Sequence, residues 1–139
     1  MATIYGSAEC RQTLDSVWAC ATEKEHIIHW YSGQDDWECT AVEQDLRVRG
    51  PFKYTLITKD KTFSRVQEGN FLRVEAPHIL EYLTKDGRKV TVSFAQSGNT
   101  VMIEQIAETE RNAPFEFQRR WQQKLLNNLA TYAEEIGGV

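Results

Sequence analysis

The chain has 139 residues, of which 41% are hydrophobic and 26% charged, a balance that suits one globular domain able to bury a core. Its net charge of -4, with Lys and Arg dispersed among Asp and Glu, offers no electrostatic footing for a nucleic-acid backbone. No apolar run approaches the roughly 18 residues of a membrane span, and the stretch from Met1 to Gly6 lacks the basic and apolar regions of a secretion signal, so a cytoplasmic protein with no membrane partner is expected. Cys10, Cys20 and Cys39 are odd in number and contain no close pair, which points to reduced thiols rather than a disulfide framework or a zinc ribbon.

Alternation from Thr3 to Cys10 is compatible with an opening strand. Thr13 then reads as a helix cap, and Leu14, Val17 and Trp18 repeat at three and four, which makes a short amphipathic helix. A second runs from Thr22 to Trp30, presents Ile27, Ile28, Trp30 and Tyr31, and ends at Ser32-Gly33. Helices of about two turns do not stand alone, so Trp18 and Trp30 are the expected anchors onto something larger. His26 and His29 sit three apart, a spacing metal ligands use, with Glu23 and Glu25 nearby; no further ligand cluster accompanies them, and no metal is assigned.

From Trp37 to Thr109 the chain alternates strand and turn. Ala41 to Leu46 leads through Arg49-Gly50-Pro51 into Phe52 to Ile57, where Phe52, Tyr54 and Leu56 share a face. After a polar turn at Lys59 to Lys61, a long segment from Phe63 to Val74 is interrupted at Gly69, read as a bulge or bend, and is broken by Ala76-Pro77. Ile79 to Thr84, Lys89 to Ala95 and Thr100 to Thr109 are joined by Asp86-Gly87 and Ser97-Gly98-Asn99, which makes an antiparallel meander. Val90, Val92 and Phe94, with Val101 and Ile103, mark its more apolar face.

The last segment, Asn112 to Gly138, is the major helix. Pro114 suits its first turn, Glu116 the positive end of its dipole, and Gly137-Gly138 its stop. Phe117, Trp121, Leu125, Leu129, Tyr132 and Ile136 fall on one side, extended by Phe115, Leu126 and Ala133. That arc covers about half the circumference, which calls for a sheet as partner. Element order therefore favours an α+β domain, a strongly curved antiparallel sheet wrapped around a terminal helix.

Five stretches in this order also carry a family likeness: Val17-Trp18, His26 to Trp30, Asp45-Leu46-Arg47-Val48-Arg49-Gly50, Gly69 to Pro77, and Trp121-Gln122 with Leu125, Leu129 and Tyr132. Through them nearly the whole chain resembles the START-like (SRPBCC) superfamily and, within it, the family named for the activator of heat-shock protein 90 ATPase. Two places depart from that pattern. Arg49-Gly50-Pro51 stands where a Gly-Gly pair is frequent, and Cys10-Arg11-Gln12 where a small residue and proline introduce the first helix. The resemblance implies one helix-grip domain over residues 1–139, with about six to seven strands and a space between sheet and long helix for an apolar or amphipathic ligand. Its members include lipid and hormone carriers, polyketide cyclases and a co-chaperone domain, so the fold alone does not choose the function.

No G-x-S-x-G, H-E-x-x-H, G-x-G-x-x-G or phosphate-cradling Gly-Lys loop is present, and no catalytic residue or cofactor is assigned. Arg65, Glu68, Gln96, Gln105, Tyr54 and Tyr82 are the polar groups that could face inward, although a solvated sheet face is the default reading of each. His78 reads as an exposed turn residue, and Asp45 with Arg47 as a structural pair. The candidate ligand-binding set is Trp30, Phe52, Tyr54, Phe63, Arg65, Tyr82, Phe94, Phe117, Trp121 and Leu125, dominated by rings that suit both a full core and an apolar pocket. The first expectation is a non-enzymatic binding protein for a small hydrophobic or aromatic ligand, in an enclosed space of a few hundred Å3. The alternatives are a cyclase- or dehydratase-like enzyme, which needs a buried ionisable group at the pocket, and an interaction module that meets a chaperone partner or forms a homodimer through a sheet edge or an exposed Trp37.

Overall fold

The computed structural model describes residues 2–137; Met1 and Val139 lie outside them, as does Gly138, half of the expected helix stop. Strand β1 (Thr3–Cys10) is followed by helices α1 (Leu14–Thr22) and α2 (Lys24–Trp30). Six strands come next: β2 (Trp37–Gln44), β3 (Pro51–Thr58), β4 (Ser64–Glu75), β5 (Ile79–Thr84), β6 (Lys89–Ser97) and β7 (Thr100–Glu108). Helix α3 (Phe115–Gly137) closes the chain. All neighbouring strands are antiparallel in one curled sheet of order β1-β7-β6-β5-β4-β3-β2. Among the described residues no helix is long and apolar enough to cross a membrane.

Local chemistry sets the element ends. Thr13 accepts a hydrogen bond from the Ser16 amide at 3.2 Å and caps α1. Gln96 accepts from the Leu14 amide at 3.2 Å, so this candidate inward residue instead supports the same cap. The β3–β4 and β5–β6 turns repeat one device. Thr58 and Thr84, both buried, donate to Asp60 and Asp86 two residues on, while their oxygens accept backbone amides from Phe63 and Arg88. Beside Asp60 it is Lys61 that takes a left-handed conformation (φ 64°), where the second turn uses Gly87 (φ 91°).

The expected interruption of β4 moves. Its register shift lies between Phe71 and Arg73, not at Gly69. Gly69 serves close approach: a Cβ there would fall 2.1 Å from the Leu83 carbonyl oxygen.

Alternation gives the trough its lining. Val101, Ile103 and Ala107 on β7, Val90, Val92 and Phe94 on β6, Leu80 on β5, and Phe52, Tyr54 and Leu56 on β3 are all buried on the concave face. From α3 the buried residues are Gln122, Leu125, Leu126, Leu129, Ala130 and Ala133. This stripe is rotated from the expected one. Phe115 and Ile136, at the ends of the rod, are exposed, while Gln122 and Ala130 are inside. Each fully buried Leu, Ile or Phe contributes on the order of 1.5–3 kcal/mol, and Phe71, Ile27, Leu56, Ile103 and Leu129 qualify.

Helix α3 also closes an edge. Gln123 donates to the Ser7 carbonyl at 2.7 Å and accepts from the Ser7 amide at 3.4 Å, so its amide pairs with β1 as a further strand would. Its backbone runs close to β1, α1 and α2. It does not come comparably close to the opposite wall of the trough, β3 to β5. Space remains there.

Candidate functional site

That space lies between the concave face and α3, in two adjoining hollows. The inner one, about 50 Å3, is walled by Trp30, Tyr54, Leu80, Phe94, Leu129 and their neighbours. The outer one, about 70 Å3, opens past Arg65, Gln67, Phe117 and Trp121. Tyr31, Tyr82, Gln105 and Leu125 belong to both walls and divide the space. Among the described residues an enclosed cavity of a few hundred Å3 is therefore not present between sheet and helix; the bridging tyrosines fill what a larger pocket would leave open. Larger depressions on the surface are open, and the charges of one of them are already paired, Arg88 with Asp86 at 2.9 Å, Lys85 with Glu68 at 3.8 Å and Arg65 with Glu110 at 3.6 Å.

Of the expected ligand-binding residues, Trp30, Tyr54 and Phe94 line the inner hollow, Arg65, Phe117 and Trp121 the outer, and Tyr82 and Leu125 both. Two do not belong. Phe63 is 65% exposed, because it lies beyond the last β3–β4 pair, Ile57 with Ser64, and its backbone is tied into the Thr58 turn. Phe52 faces inward but is sealed among Tyr54, Phe71 and Tyr82, with ring centroids 5.0–5.2 Å away, so it packs the core and borders neither hollow. Trp37, considered as an exposed contact, instead meets the edge of Trp121 at 6.0 Å.

Each wall residue is placed by bonds elsewhere. Asn128 on α3 donates to the carbonyls of Trp30 and Ser32, at 3.2 and 2.9 Å, and so fixes the backbone on either side of Tyr31. The Trp30 indole donates to the Cys20 carbonyl at 2.8 Å, which satisfies its only polar atom and leaves carbon toward the hollow. Gln105 donates to the Gln122 carbonyl oxygen at 2.9 Å, and Gln122 donates to the carbonyls of Ile4 and Gln105 at 3.3 and 3.2 Å. A buried amide pair thus joins helix, β1 and β7. Trp121 rests where only glycine can meet it: a Cβ on Gly33 would stand 1.8 Å from its ring. Arg65 covers the other side, its guanidinium 5.1 Å from the ring centroid.

Three phenols converge at the dividing wall. Tyr54 donates to Gln44 at 2.9 Å. Among the described residues the hydroxyls of Tyr31 and Tyr82 have no hydrogen-bond partner, nor does the side-chain oxygen of Gln105. Yet among the same residues no fully enclosed side-chain oxygen lacks one. These groups therefore touch the open space they border. Burial pushes the Tyr82 phenol up to about 12, against the pull of Arg88. Burial, with Tyr82 and Tyr54 beside it, raises Tyr31 well above the ordinary value, and Tyr54 is raised in the same way. All three are neutral near pH 7.

Tyr31 and Gln105 are absent from the expected ligand-binding set; Gln105 counts among the polar groups that could face inward, with a solvated face as its default, yet it shares the parity of the buried Val101, Ile103 and Ala107. His26 and His29 take no part in the hollows. His26 Nδ1 lies 2.7 Å from the Tyr132 hydroxyl and His29 stacks on the same ring at 5.9 Å, which joins α2 to α3.

Comparison with known proteins agrees with this architecture. The solution structure of an AHSA1-like protein from Aeromonas hydrophila superposes with a TM-score of 0.91 at 29% identity, over 98% of this chain and 94% of that one. A Cytophaga hutchinsonii protein gives 0.80 at 29% identity, over 96% and 93%. A crystal structure from Chromobacterium violaceum gives 0.84 at 18%, over 96% and 99%, a likeness of fold. A comparison with curated proteins gave no match. The model of the family described as activator of Hsp90 ATPase homolog 1-like protein matches residues 11–134, and with nearly the whole length so covered the chain belongs to that family.

Proposed function

We propose that this protein binds a small molecule in the divided space between its sheet and α3, and holds it without converting it. The observation that carries this reading is the shared wall, where Tyr31, Tyr82 and Gln105 retain unspent hydrogen-bonding capacity between an apolar inner hollow and a more polar outer one. An apolar space with a few convergent polar groups is the usual form of a ligand site. Holding is favoured over turnover because the ionisable groups on the inner wall are phenols that burial keeps protonated, and the carboxylates of the outer hollow are engaged, Glu110 by Arg65 at 3.6 Å and Glu108 by the Lys89 amide at 2.6 Å.

Native mass spectrometry of the protein purified from its own host, followed by solvent extraction, tests the proposal. A small co-purifying molecule is expected, at stoichiometry approaching one. Leu125→Trp, which fills the junction of the hollows, should lose it while remaining folded by circular dichroism. A wild-type protein that carries nothing, and binds nothing from the host's small-molecule extract, would overturn the reading.

A further inference from the structure

Resting on that reading, we infer that the occupant is an uncharged molecule of a single ring bearing one hydrogen-bonding oxygen, a simple phenol or ring ketone, with its oxygen among Tyr31, Tyr82 and Gln105. Size sets the first limit. Hollows of about 50 and 70 Å3 share one wall, and even taken together they stay below the roughly 150 Å3 that accommodates one benzene ring and well below the roughly 300 Å3 of a drug-sized site, so a single ring that shifts the shared side chains is the upper limit. A fused polycycle or an acyl chain has no room.

Polarity sets the second. Trp30, Leu80, Phe94 and Leu129 present carbon to the inner hollow, which suits the ring. Tyr54 is committed to Gln44, whereas the hydroxyls of Tyr31 and Tyr82 can both donate to the two lone pairs of a carbonyl or phenol oxygen. The free oxygen of Gln105 can accept a phenol's proton. A bare hydrocarbon would strip water from these groups and give nothing in return.

Charge sets the third. No ionised side chain lines the inner hollow. Both cations of the outer hollow are already engaged, Arg65 by the Trp121 face and Glu110 and Arg88 by Asp86, and Glu108 and Glu110 line the same hollow. A carboxylate carried to the dividing wall would lose its hydration without gaining a free cation.

The test is an amide-resolved NMR titration with three probes of matched ring size: phenol, toluene and benzoate. Phenol is expected to shift the Tyr31, Tyr82, Gln105 and Leu125 signals with a Kd about tenfold or more below those of the other two. In a Tyr31→Phe, Tyr82→Phe variant, which removes two oxygens and little volume, the preference for phenol over toluene should collapse toward one. Should the double variant not fold, each single variant must still lower the ratio. Toluene or benzoate binding as tightly as phenol, or a ratio indifferent to the lost hydroxyls, would refute the inference and leave ligand binding intact. If no probe binds and the host-purified protein is also empty, the binding reading falls with it.

Discussion

Arg49 shows how one residue can disclose a turn before any coordinates do. It occupies the left-handed region (φ 72°), and at Gly50 a Cβ would lie 2.0 Å from the Asp45 carbonyl oxygen. The departure visible in sequence, arginine where the family pattern has glycine, is thus a residue with a side chain in a conformation glycine adopts freely. Arg49→Gly should raise stability by up to about 1 kcal/mol, part of the relief being offset by the greater freedom of glycine in the unfolded chain. Urea unfolding reads this as a higher midpoint at unchanged slope; a lower midpoint would mean that the Arg49 side chain contributes more than its backbone costs. Gln105 teaches the opposite lesson. Its parity along β7 was legible, but a glutamine in an alternating strand reads as solvent-facing until its partner on another element is known. That partner, Gln122, could not be paired with it from sequence because the rotation of α3 is set by packing.

Among the elements, the strands were the legible part, since alternation and turn residues fix them locally, and the bulge was misplaced because Gly69 has two possible meanings. The face of α3 was recognised in outline, yet its outer positions, Phe115 and Ile136, overhang the trough and stay exposed. The polar contact at its centre deserves measurement. Gln122→Met keeps the volume but leaves the Gln105 amide and the Ile4 carbonyl without their partner. A loss of about 1–3 kcal/mol is expected by chemical denaturation, the cost of buried polar groups left unpaired. An unaltered midpoint would show that the amide pair contributes nothing to docking the helix.

For the molecule as a whole, the buried acids of the core set a limit at high pH. Burial moves the thiols of Cys10 and Cys39 from 9.0 up to about 11, and Tyr82 from 10.0 up to about 12. In the unfolded chain the same groups lose their protons at the lower values, so above about pH 9 the unfolded state binds fewer protons than the native one. Their contribution is complete below that point and is lost as pH rises through the folded values. Thermal midpoints should hold level to about pH 8.5 and then decline steadily; a level profile to pH 11 would contradict the burial described. The seat of Trp121 against Gly33 carries a different consequence. Of the four tryptophans, this one borders both the outer hollow and the surface groove along Gln34, Asp35 and Lys124. Were a ligand to enter the outer hollow as proposed, its arrival would alter the surroundings of this indole, and the colour and quenching of tryptophan emission would report it in real time without a label.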